Sequence, residues 1–258
     1  MRIEKVKNQP LTWVYFSILN FQFSILLLGC SSGARPIPHA NPPREARTFG
    51  SSDHPLQYVV VGDSTAAGEG ASSYERGIVE ATARNLESRG VVVRNLGVTG
   101  ARVHDVLNLQ LPKLTGLHPD LVLLDVVAND VIHLTSSRSV TRDLASTIDK
   151  LLALNCEMKI VVTGSPDMGA SPRIPFGLGW LADLRTHQLN VIVRRAVRKH
   201  RLTFAPIALK TGPQFRRDRT LFAADLFHPS DRGYEVWIPV LNEAIAEALA
   251  SQPSHCGR

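Results

Sequence analysis

The sequence predicts one α/β domain built on a parallel, doubly wound β-sheet. Short continuous apolar runs rich in β-branched residues recur along the chain, and stretches with helical periodicity separate them. Unbroken apolar runs are typical of strands buried on both faces, which places helices on both sides of the sheet. A chain of 258 residues, 44% of them hydrophobic, is long enough for one well-packed domain and short for two.

The alternation of elements gives the predicted order along the chain. The strands are predicted in LQYVVVG from residue 56, VVVRNLG from 91, DLVLLDVVA from 120, KIVVTGS from 159 and LTFAPIAL from 202. The helices are predicted over residues 74–89, 101–114, 139–155, 180–200 and 233–250. No internal repeat and no change of composition interrupts this pattern, so we expect one domain over residues 55–250 and a short tail over 251–258.

The N-terminus has the layout of an export signal. A basic segment, MRIEKVKNQ, precedes the mostly apolar LTWVYFSILNFQFSILLLGC. A small residue followed by cysteine resembles the bacterial lipobox, which implies a lipoprotein-type signal peptide over residues 1–29 and lipidation of Cys30. The chain would then be exported and lipid-anchored to the cell envelope, at the outer membrane facing the periplasm where the cell has two membranes. An uncleaved membrane helix over 11–29 is the alternative, weakened by Asn20 and Gln22.

Residues 30–54 are rich in Pro, Ser and Gly and nearly free of large apolar side chains. This composition predicts a flexible tether that holds the domain off a membrane, and His39 and His54 within it are not site candidates. The two remaining cysteines, Cys156 and Cys256, either pair in an oxidising compartment or stay as free thiols.

The net charge of the chain argues against a nucleic-acid partner. The net charge is +6 for the whole chain and +4 beyond residue 29, where 26 basic residues face 22 acidic ones. This mild excess gives no nucleic-acid footprint. The densest basic run, RRAVRKHR over 194–201, is interpreted as the solvated face of a helix, with an anionic-surface patch as the alternative. No His or Cys cluster has metal-ligand spacing, so we expect no metal. We also expect no cofactor and a monomeric protein.

Polar or glycine-rich turns follow every predicted strand. They are, in order, Gly62-Asp63-Ser64, NLGVTGA, Ala128-Asn129-Asp130, GSPDMG and, following a short loop after the fifth strand, AADLFHPSDRG. Ligands of open parallel sheets bind beyond the carboxyl ends of the strands, so we expect these turns to converge on one site. The first turn lacks the dinucleotide fingerprint G-x-G-x-x-G and the Gly-Lys-Ser/Thr of a P-loop, which argues against a phosphate cradle.

The residues at these turns suit a nucleophilic serine. A serine hydroxyl needs a base that accepts its proton, and the base needs a third group to orient it. The spacing Asp225-x-x-His228 allows both side chains to lie on one short turn, with Ser64 as the nucleophile. The backbone N–H of Ser64, a glycine N–H of the second loop and the Asn129 amide are candidate donors to an oxyanion, and Gly100 leaves room for a substrate.

At these residues the chain resembles the SGNH hydrolases, also called GDSL esterases. The blocks VVVGDSTAAGEG, NLGVTGARVHDVL, VVANDV and DLFHPSDRGY occur in the family's order over about 170 residues. The resemblance implies a flavodoxin-like three-layer sandwich with a five-stranded parallel sheet in the order 2-1-3-4-5. It implies Ser64 as nucleophile, Ser64, Gly100 and Asn129 as the oxyanion hole, His228 as base and Asp225 as its partner, without a metal.

Two positions depart from the family pattern. Val127 stands where the third block usually has glycine, which puts the turn that aims Asn129 in question. Thr65 replaces the usual leucine after the serine and touches no catalytic atom. Asp63 is expected to bond to the loop backbone and not to act as the acid.

The connection SPDMGASPRIPFGLGW over 165–180 is the predicted wall of the substrate pocket. Long connections without regular structure tend to be functional or disordered, and this one follows the fourth strand. We expect Met168 and Phe176 to supply apolar contacts there, and His133, after the third strand, is a further pocket candidate.

These observations predict a serine ester hydrolase, similar to carboxylesterases and lysophospholipases. The resemblance implies a small acyl ester or thioester as the substrate, lysophospholipids and acetylated sugars included, and the sequence leaves the choice among them open. An acyl transferase with the same residues, and a non-catalytic lipoprotein of the same fold, are the alternatives. An α/β-hydrolase-fold esterase is disfavoured because the chain lacks Gly-x-Ser-x-Gly.

Overall fold

A single mixed sheet forms the centre of the protein. The computed structural model describes residues 33–43 and 45–251. Within them the strands are β1 (Arg47–Phe49), β2 (Leu56–Gly62), β3 (Val91–Asn95), β4 (Leu121–Asp125), β5 (Lys159–Val162) and β6 (Thr203–Phe204). Their order is β1-β3-β2-β4-β5-β6, with β2 to β6 parallel and β1 antiparallel to β3.

The five predicted strands are the parallel ones, and they lie in the order that the resemblance implied. The predicted number of strands is wrong, because the described residues contain a sixth strand, β1. This strand comes from the end of the segment predicted as a flexible tether. Phe49 is buried at the sheet edge, and Arg47 makes an ion pair of 2.5 Å with the fully buried Glu80 carboxylate. Three residues without an apolar run carry no strand signal, so the pattern did not show it.

Helices cover both faces of the sheet. They are α1 (Ser64–Ala67), α2 (Ile78–Asn85), α3 (Val103–Asp105), α4 (Ala128–Ile132), α5 (Ser137–Leu154), α6 (Gly179–Lys199), α7 (Ile207–Arg217) and α8 (Asp231–Ala250). Helix α3 continues as a π-helical turn, Val106–Gln110, and a 3₁₀ turn, Leu111–Leu114. Tyr74–Arg76, Glu87–Arg89, Met168–Ala170 and Arg219–Leu221 are further 3₁₀ turns.

The last predicted strand, residues 202–209, is mostly wrong. Strand β6 spans only two residues, and α7 begins at Ile207. The backbone N–H of Ala205 still bonds to the Val162 carbonyl at 2.9 Å, but Pro206 has no N–H to continue the ladder. An apolar run around a proline therefore divides into the end of a strand and the start of a helix.

Side chains alternate between the two faces of the sheet and build two apolar clusters. Val59, Val61, Val122 and Leu124 pack with α3, α5 and α6 on one face. Tyr58, Val60, Leu121 and Leu123 pack with α2 and α8 on the other face. This is the predicted three-layer arrangement, and it holds the carboxyl ends of β2 and β4 side by side.

Part of the predicted tether lies on the domain. The backbone N–H of Arg35 donates to the Ala224 carbonyl at 2.8 Å, and that of Ala40 donates to the Glu69 carboxylate at 3.0 Å. Residues 33–43 thus run close to the loops at the strand ends. The predicted signal peptide, Cys30 and most of the tail lie outside the described residues, and within 33–43 and 45–251 no helix has the length and apolarity to cross a bilayer.

Cys156, in the turn between α5 and β5, is disulfide-bonded. The alternative of two free thiols is therefore wrong for this residue. The other two cysteines of the chain, Cys30 and Cys256, both lie outside the described residues.

Candidate active site

The turn after β2 presents Ser64 at the carboxyl end of the sheet. Only glycine fits at residue 62, because a Cβ atom there would lie 2.4 Å from the Asp125 carbonyl oxygen. Asp63 caps α1, since its Oδ1 atom accepts from the Thr65 backbone N–H at 3.1 Å. Ser64 is the first residue of α1, where backbone N–H groups have no partner within the helix. Its N–H is therefore available to a ligand, and its side chain is 6% exposed.

Ser64, His228 and Asp225 form one chain of hydrogen bonds. The distance from His228 Nε2 to Ser64 Oγ is 3.0 Å, and that from His228 Nδ1 to Asp225 Oδ2 is 2.6 Å. A proton on Nδ1 donates to the carboxylate and leaves Nε2 free to accept the Ser64 hydroxyl proton. The predicted spacing thus brings the three side chains together across 164 residues of sequence.

The loop around Asp225 holds the carboxylate in its ionised form. Oδ1 accepts from the backbone N–H groups of Phe227 at 3.0 Å and His228 at 3.1 Å. Leu226 takes a left-handed conformation with φ of 60°, and its carbonyl accepts from Ser171 Oγ at 2.9 Å. Burial tends to raise the pKa of Asp225, but the hydrogen bonds and the charge of His228, together with the two backbone N–H groups, lower it below its usual value.

The Asn129 amide and the loop that carries Gly100 lie close together. Asn129 Nδ2 donates to the Ala101 carbonyl at 3.1 Å, which leaves its second N–H free. Gly100 has φ of 81°, and a Cβ atom there would meet no atom within 4 Å. Val127 stands where the family pattern has glycine. It adopts a left-handed conformation, with φ of 73°, which glycine takes most readily. The departure from the family pattern therefore leaves the turn before Asn129 in place.

A cavity of about 550 Å³, its open mouth included, lies beside Ser64, Asn129 and His228. Apolar side chains supply most of its wall: Pro166, Met168, Phe215, Phe222, Phe227, Pro229 and Trp237. Of the predicted pocket residues, Met168 lies in this wall. Phe215 and Trp237 come from α7 and α8, and sequence reasoning missed them because nothing in the pattern separates a cavity phenylalanine from a core one. Phe227 could have been predicted as a cavity residue from its position between Asp225 and His228.

The other two predicted pocket residues lie elsewhere. Phe176 is in the turn before α6, and its ring is fully exposed, with a relative accessibility of 107%. The chain up to Ser171 is held against the Asp225 loop, and beyond Ile174 it turns outward. His133 ends α4 and is exposed, since the helix rises about 1.5 Å per residue and carries it away from Asn129. Both pocket predictions are wrong.

Comparison with known proteins identifies the family. The model of the GDSL-like lipase/acylhydrolase family matches residues 60–236, more than half of the chain. The chain belongs to this family. It is accordingly a hydrolase of ester bonds. Within residues 33–43 and 45–251, no group of three His, Cys, Asp or Glu side chains is arranged to hold a metal ion.

Relatives of this GDSL-type hydrolase span most of its length. The GDSL-like esterase Rv1075c of Mycobacterium tuberculosis H37Rv is 27% identical over 253 residues, covering 88% of this chain and 78% of that protein. The lipase/acylhydrolase of Enterococcus faecalis has the same fold at 21% identity, with a TM-score of 0.61 over 78% of this chain and all of that one. A catalytic mutant of the acetylxylan esterase Axe2 from Geobacillus stearothermophilus has a TM-score of 0.59 at 16% identity, over 81% and 99% of the chains.

Glu69 connects the N-terminal segment to the Gly100 loop of the hydrolase. Its side chain is buried, and Oε1 accepts from the Thr99 hydroxyl at 2.5 Å and the Ala40 N–H at 3.0 Å. The exposed His39 ring lies 3.1 Å from the same oxygen. Sequence reasoning missed this residue, although a carboxylate within the small-residue run after Ser64 was a signal for it.

Two buried carboxyl groups lie beneath the Ser64 turn. Thr65 Oγ1 is 3.1 Å from Asp63 Oδ1 and 2.5 Å from Asp125 Oδ2, and Thr163 donates to Asp125 Oδ1 at 2.8 Å. Burial and the neighbouring Asp125 charge raise the pKa of Asp63 well above its usual value. Burial also raises the pKa of Asp125, against the lowering effect of the hydrogen bonds from Thr65 and Thr163. Asp63 thus serves the loop, as predicted from its position beside Ser64.

We expect Asp63→Asn to stabilise the protein, relative to wild type, more at neutral pH than at acidic pH. The folded-state pKa of Asp63 is raised, so its favourable contribution is complete below the unfolded-state pKa and is lost as the pH rises toward the folded-state value. Asparagine keeps the oxygen that accepts from Thr65 and does not titrate. The free energy of unfolding of the variant, relative to wild type, should therefore rise between about pH 4 and about pH 8 in urea titrations.

The exposed Asp53→Asn variant is the matched control, and its relative stability should not change with pH in this way. An Asp63→Asn protein whose stability follows the same pH dependence as the wild type would contradict the raised pKa.

Proposed function

We propose that this protein hydrolyses carboxylic esters through Ser64, His228 and Asp225. The hydrogen-bonded chain of these three side chains at the cavity carries the proposal, because it places the base His228 3.0 Å from the nucleophile Ser64 and 2.6 Å from the orienting carboxylate of Asp225. Membership of an ester-hydrolase family supports it.

In the first half-reaction, Ser64 Oγ attacks the ester carbonyl carbon while His228 Nε2 takes the hydroxyl proton. The carbonyl oxygen becomes an oxyanion, for which the Ser64 N–H, the Gly100 N–H and the free Asn129 N–H are the donors. The tetrahedral intermediate collapses with cleavage of the ester C–O bond, and His228 gives its proton to the departing alkoxide. An acyl-serine and an alcohol result.

The second half-reaction repeats these steps with water. His228 removes a proton from the water as its oxygen attacks the acyl carbon, and the proton then passes to Ser64 Oγ as the acyl–oxygen bond breaks. Asp225, ionised and held by two backbone N–H groups, stabilises the imidazolium in both halves. The products are a carboxylic acid and the free enzyme.

The wall of the cavity supports an apolar acyl group as the preferred substrate part. Aromatic rings and Met168 form most of the wall beside Ser64. Its polar side chains Asp167, Ser171 and Thr211 are already bonded to Arg216, the Leu226 carbonyl and the Ile207 carbonyl, so a sugar there would find few free partners for its hydroxyl groups. We therefore infer an ester of an aliphatic acid longer than acetic acid, a class that includes lysophospholipids. Acetyl-sugar esters are the second candidate, since the structurally similar Axe2 is an acetylxylan esterase.

We expect Ser64→Ala to lower the hydrolysis of p-nitrophenyl esters by about 10³-fold or more while the protein stays folded. A fluorophosphonate probe should label the wild type at Ser64 and fail to label the variant. Ser73→Ala, an exposed serine of the next loop, should keep both activities and serves as the control. Full turnover by the Ser64 variant would overturn the mechanism, and a wild type that resists the probe and hydrolyses no ester would favour a non-catalytic lipoprotein.

A series of p-nitrophenyl esters from acetate to octanoate should separate the two substrate classes. Each buried methylene contributes about 0.8 kcal/mol, so kcat/KM should rise about fourfold per methylene until the cavity is filled. Thr211→Leu, which adds bulk to the cavity wall, should shorten the preferred chain, whereas Leu209→Ala on the exposed face of the same helix should leave it unchanged. Fastest hydrolysis of acetate would instead favour acetyl esters, and acylated acceptor formed with an added sugar would indicate a transferase.

We also propose that the protein is exported and lipidated at Cys30. The disulfide of Cys156 supports an oxidising compartment. Lys159 Nζ donates to the Ser251 carbonyl at 2.6 Å, so the C-terminal tail starts close to Cys156. Pairing of Cys156 with Cys256, one of the two alternatives given by the sequence, would leave Cys30 for a lipid. Alkyne-labelled fatty acid should be incorporated into the wild type and not into Cys30→Ser, and equal labelling of both proteins would contradict the anchor.

A further inference from the structure

A second recess lies apart from the catalytic cavity, between helices α5 and α6. The groove is lined by Arg138 and Arg142 of α5 and by His187 and Arg195 of α6, and no carboxylate lines it. Leu184, Val191 and Ile192 form its apolar part. We call it the arginine groove. The mixture of cationic and apolar side chains suits a ligand surface with both anionic and hydrocarbon parts.

The positive charge of the arginine groove is largely uncompensated. Arg142 pairs with Asp143 at 2.8 Å. Arg138 and Arg195 have no carboxylate partner in the part of the chain that the structure describes. An anionic surface that docks here therefore meets cations that need not first leave another carboxylate.

Large apolar side chains extend the arginine groove at its N-terminal end. Trp180 and Leu184 lie one turn apart on α6 and thus on one face, with relative accessibilities of 65% and 57%. Phe176, fully exposed, lies in the turn just before this helix. Exposed aromatic rings beside arginines are typical of surfaces that sit at the boundary between lipid headgroups and acyl chains.

Helix α6, which lines the arginine groove, begins beside the wall of the catalytic cavity. The start of α6 packs on the turn Met168–Ala170, where a Cβ atom at Gly169 would lie 2.7 Å from the Gly179 carbonyl, and Met168 lines the cavity. In the second turn of α6, Arg185 donates to the Thr135 carbonyl and to the Ser137 hydroxyl, at the start of α5. The groove and the cavity wall are thus joined through the start of α6 and the turn Met168–Ala170.

The short chain between Cys30 and Arg35 brings the proposed anchor close to the same cavity. The Arg35 N–H is bonded to the Ala224 carbonyl, next to Asp225. Four residues lie between Cys30 and Arg35, and the five steps of chain from one to the other can span at most about 18 Å. A lipid on Cys30 would hold the Asp225 side of the cavity within that distance of a bilayer.

We propose that the arginine groove, with Phe176 and Trp180, docks on the surface of an anionic bilayer and turns the mouth of the catalytic cavity toward the lipid. The arginines bind lipid phosphates, and the aromatic rings enter the headgroup region. The docking surface contains none of the residues of the proposed reaction. Its orientation agrees with the proposed anchor but does not require it.

The test follows the fluorescence of Trp180 in the full-length protein bound to vesicles with brominated acyl chains. The chain has three tryptophans, so the Trp180 signal is the difference between wild type and Trp180→Phe. One set of vesicles is phosphatidylcholine alone, and the other also contains phosphatidylglycerol. We expect severalfold stronger quenching of Trp180 on the anionic vesicles, and a return to the phosphatidylcholine level at high salt.

The triple variant Arg138→Gln, Arg142→Gln, Arg195→Gln should lose this quenching. The control, Arg89→Gln, Lys113→Gln, Arg217→Gln, removes the same charge from other exposed positions and should keep it. Equal quenching of Trp180 on both vesicles, no quenching on either, or equal loss in the two triple variants would overturn the proposal. Hydrolysis of a water-soluble ester should be unchanged in both triple variants, so a failure of docking is distinguishable from a failure of the catalytic residues.

Discussion

The close approach of strands β2 and β4 at their carboxyl ends is the constraint on which the site depends. Gly62 lies so near Asp125 that no side chain fits between them. Gln110, from the π-helical turn after α3, accepts from the Gly62 N–H and donates to its carbonyl, both at 2.8 Å. The strand is thereby ended at a fixed point, and the next two residues form the Asp63–Ser64 turn. The position of the Ser64 hydroxyl thus follows from backbone packing before any catalytic partner contributes.

The close approach of β2 and β4 also places carboxyl groups in the interior, where their ionised forms lower the stability of the fold. Asp63 and Asp125 are buried and share Thr65, and burial raises the pKa of both. Asp225 is also buried, but two backbone N–H groups and the imidazole keep its pKa low. The two groups differ in the number and kind of their donors, and their pKa values move in opposite directions: Asp225 has three donors, whereas Asp63 has Thr65 as its partner and one oxygen without any.

The strand ends and their polar residues could be predicted because buried strands and the turns after them leave a local pattern. Ser64 and Asn129 each follow an apolar run closely, and parallel pairing brings such positions to one edge. His228 comes after β6 only beyond α7 and the turn Arg219–Leu221, and its signal was the nearby Asp225. Strand β1 and helix α7 could not be found in this way. Arg47–Phe49 becomes a strand only because Val91–Val93 offers an open edge, and Pro206 hides the change from strand to helix. The cavity wall depends on how α7 and α8 pack, so Phe176 was chosen where Phe215 and Trp237 are found.

The N-terminal segment is bonded to the domain and is not a free spacer over its whole length. Its composition is that of a spacer, yet Arg35 and Ala40 bond to the loops that carry Asp225 and Glu69, and Glu69 in turn holds Thr99 beside Gly100. A chain fastened at Arg35 has only the residues before it left as a free spacer. If Cys30 carries a lipid, the catalytic cavity therefore lies at the membrane surface and not at the end of a long tether. Esters held at that surface then reach Ser64 by lateral diffusion, and an apolar acyl chain passes from lipid to the apolar cavity without full exposure to water.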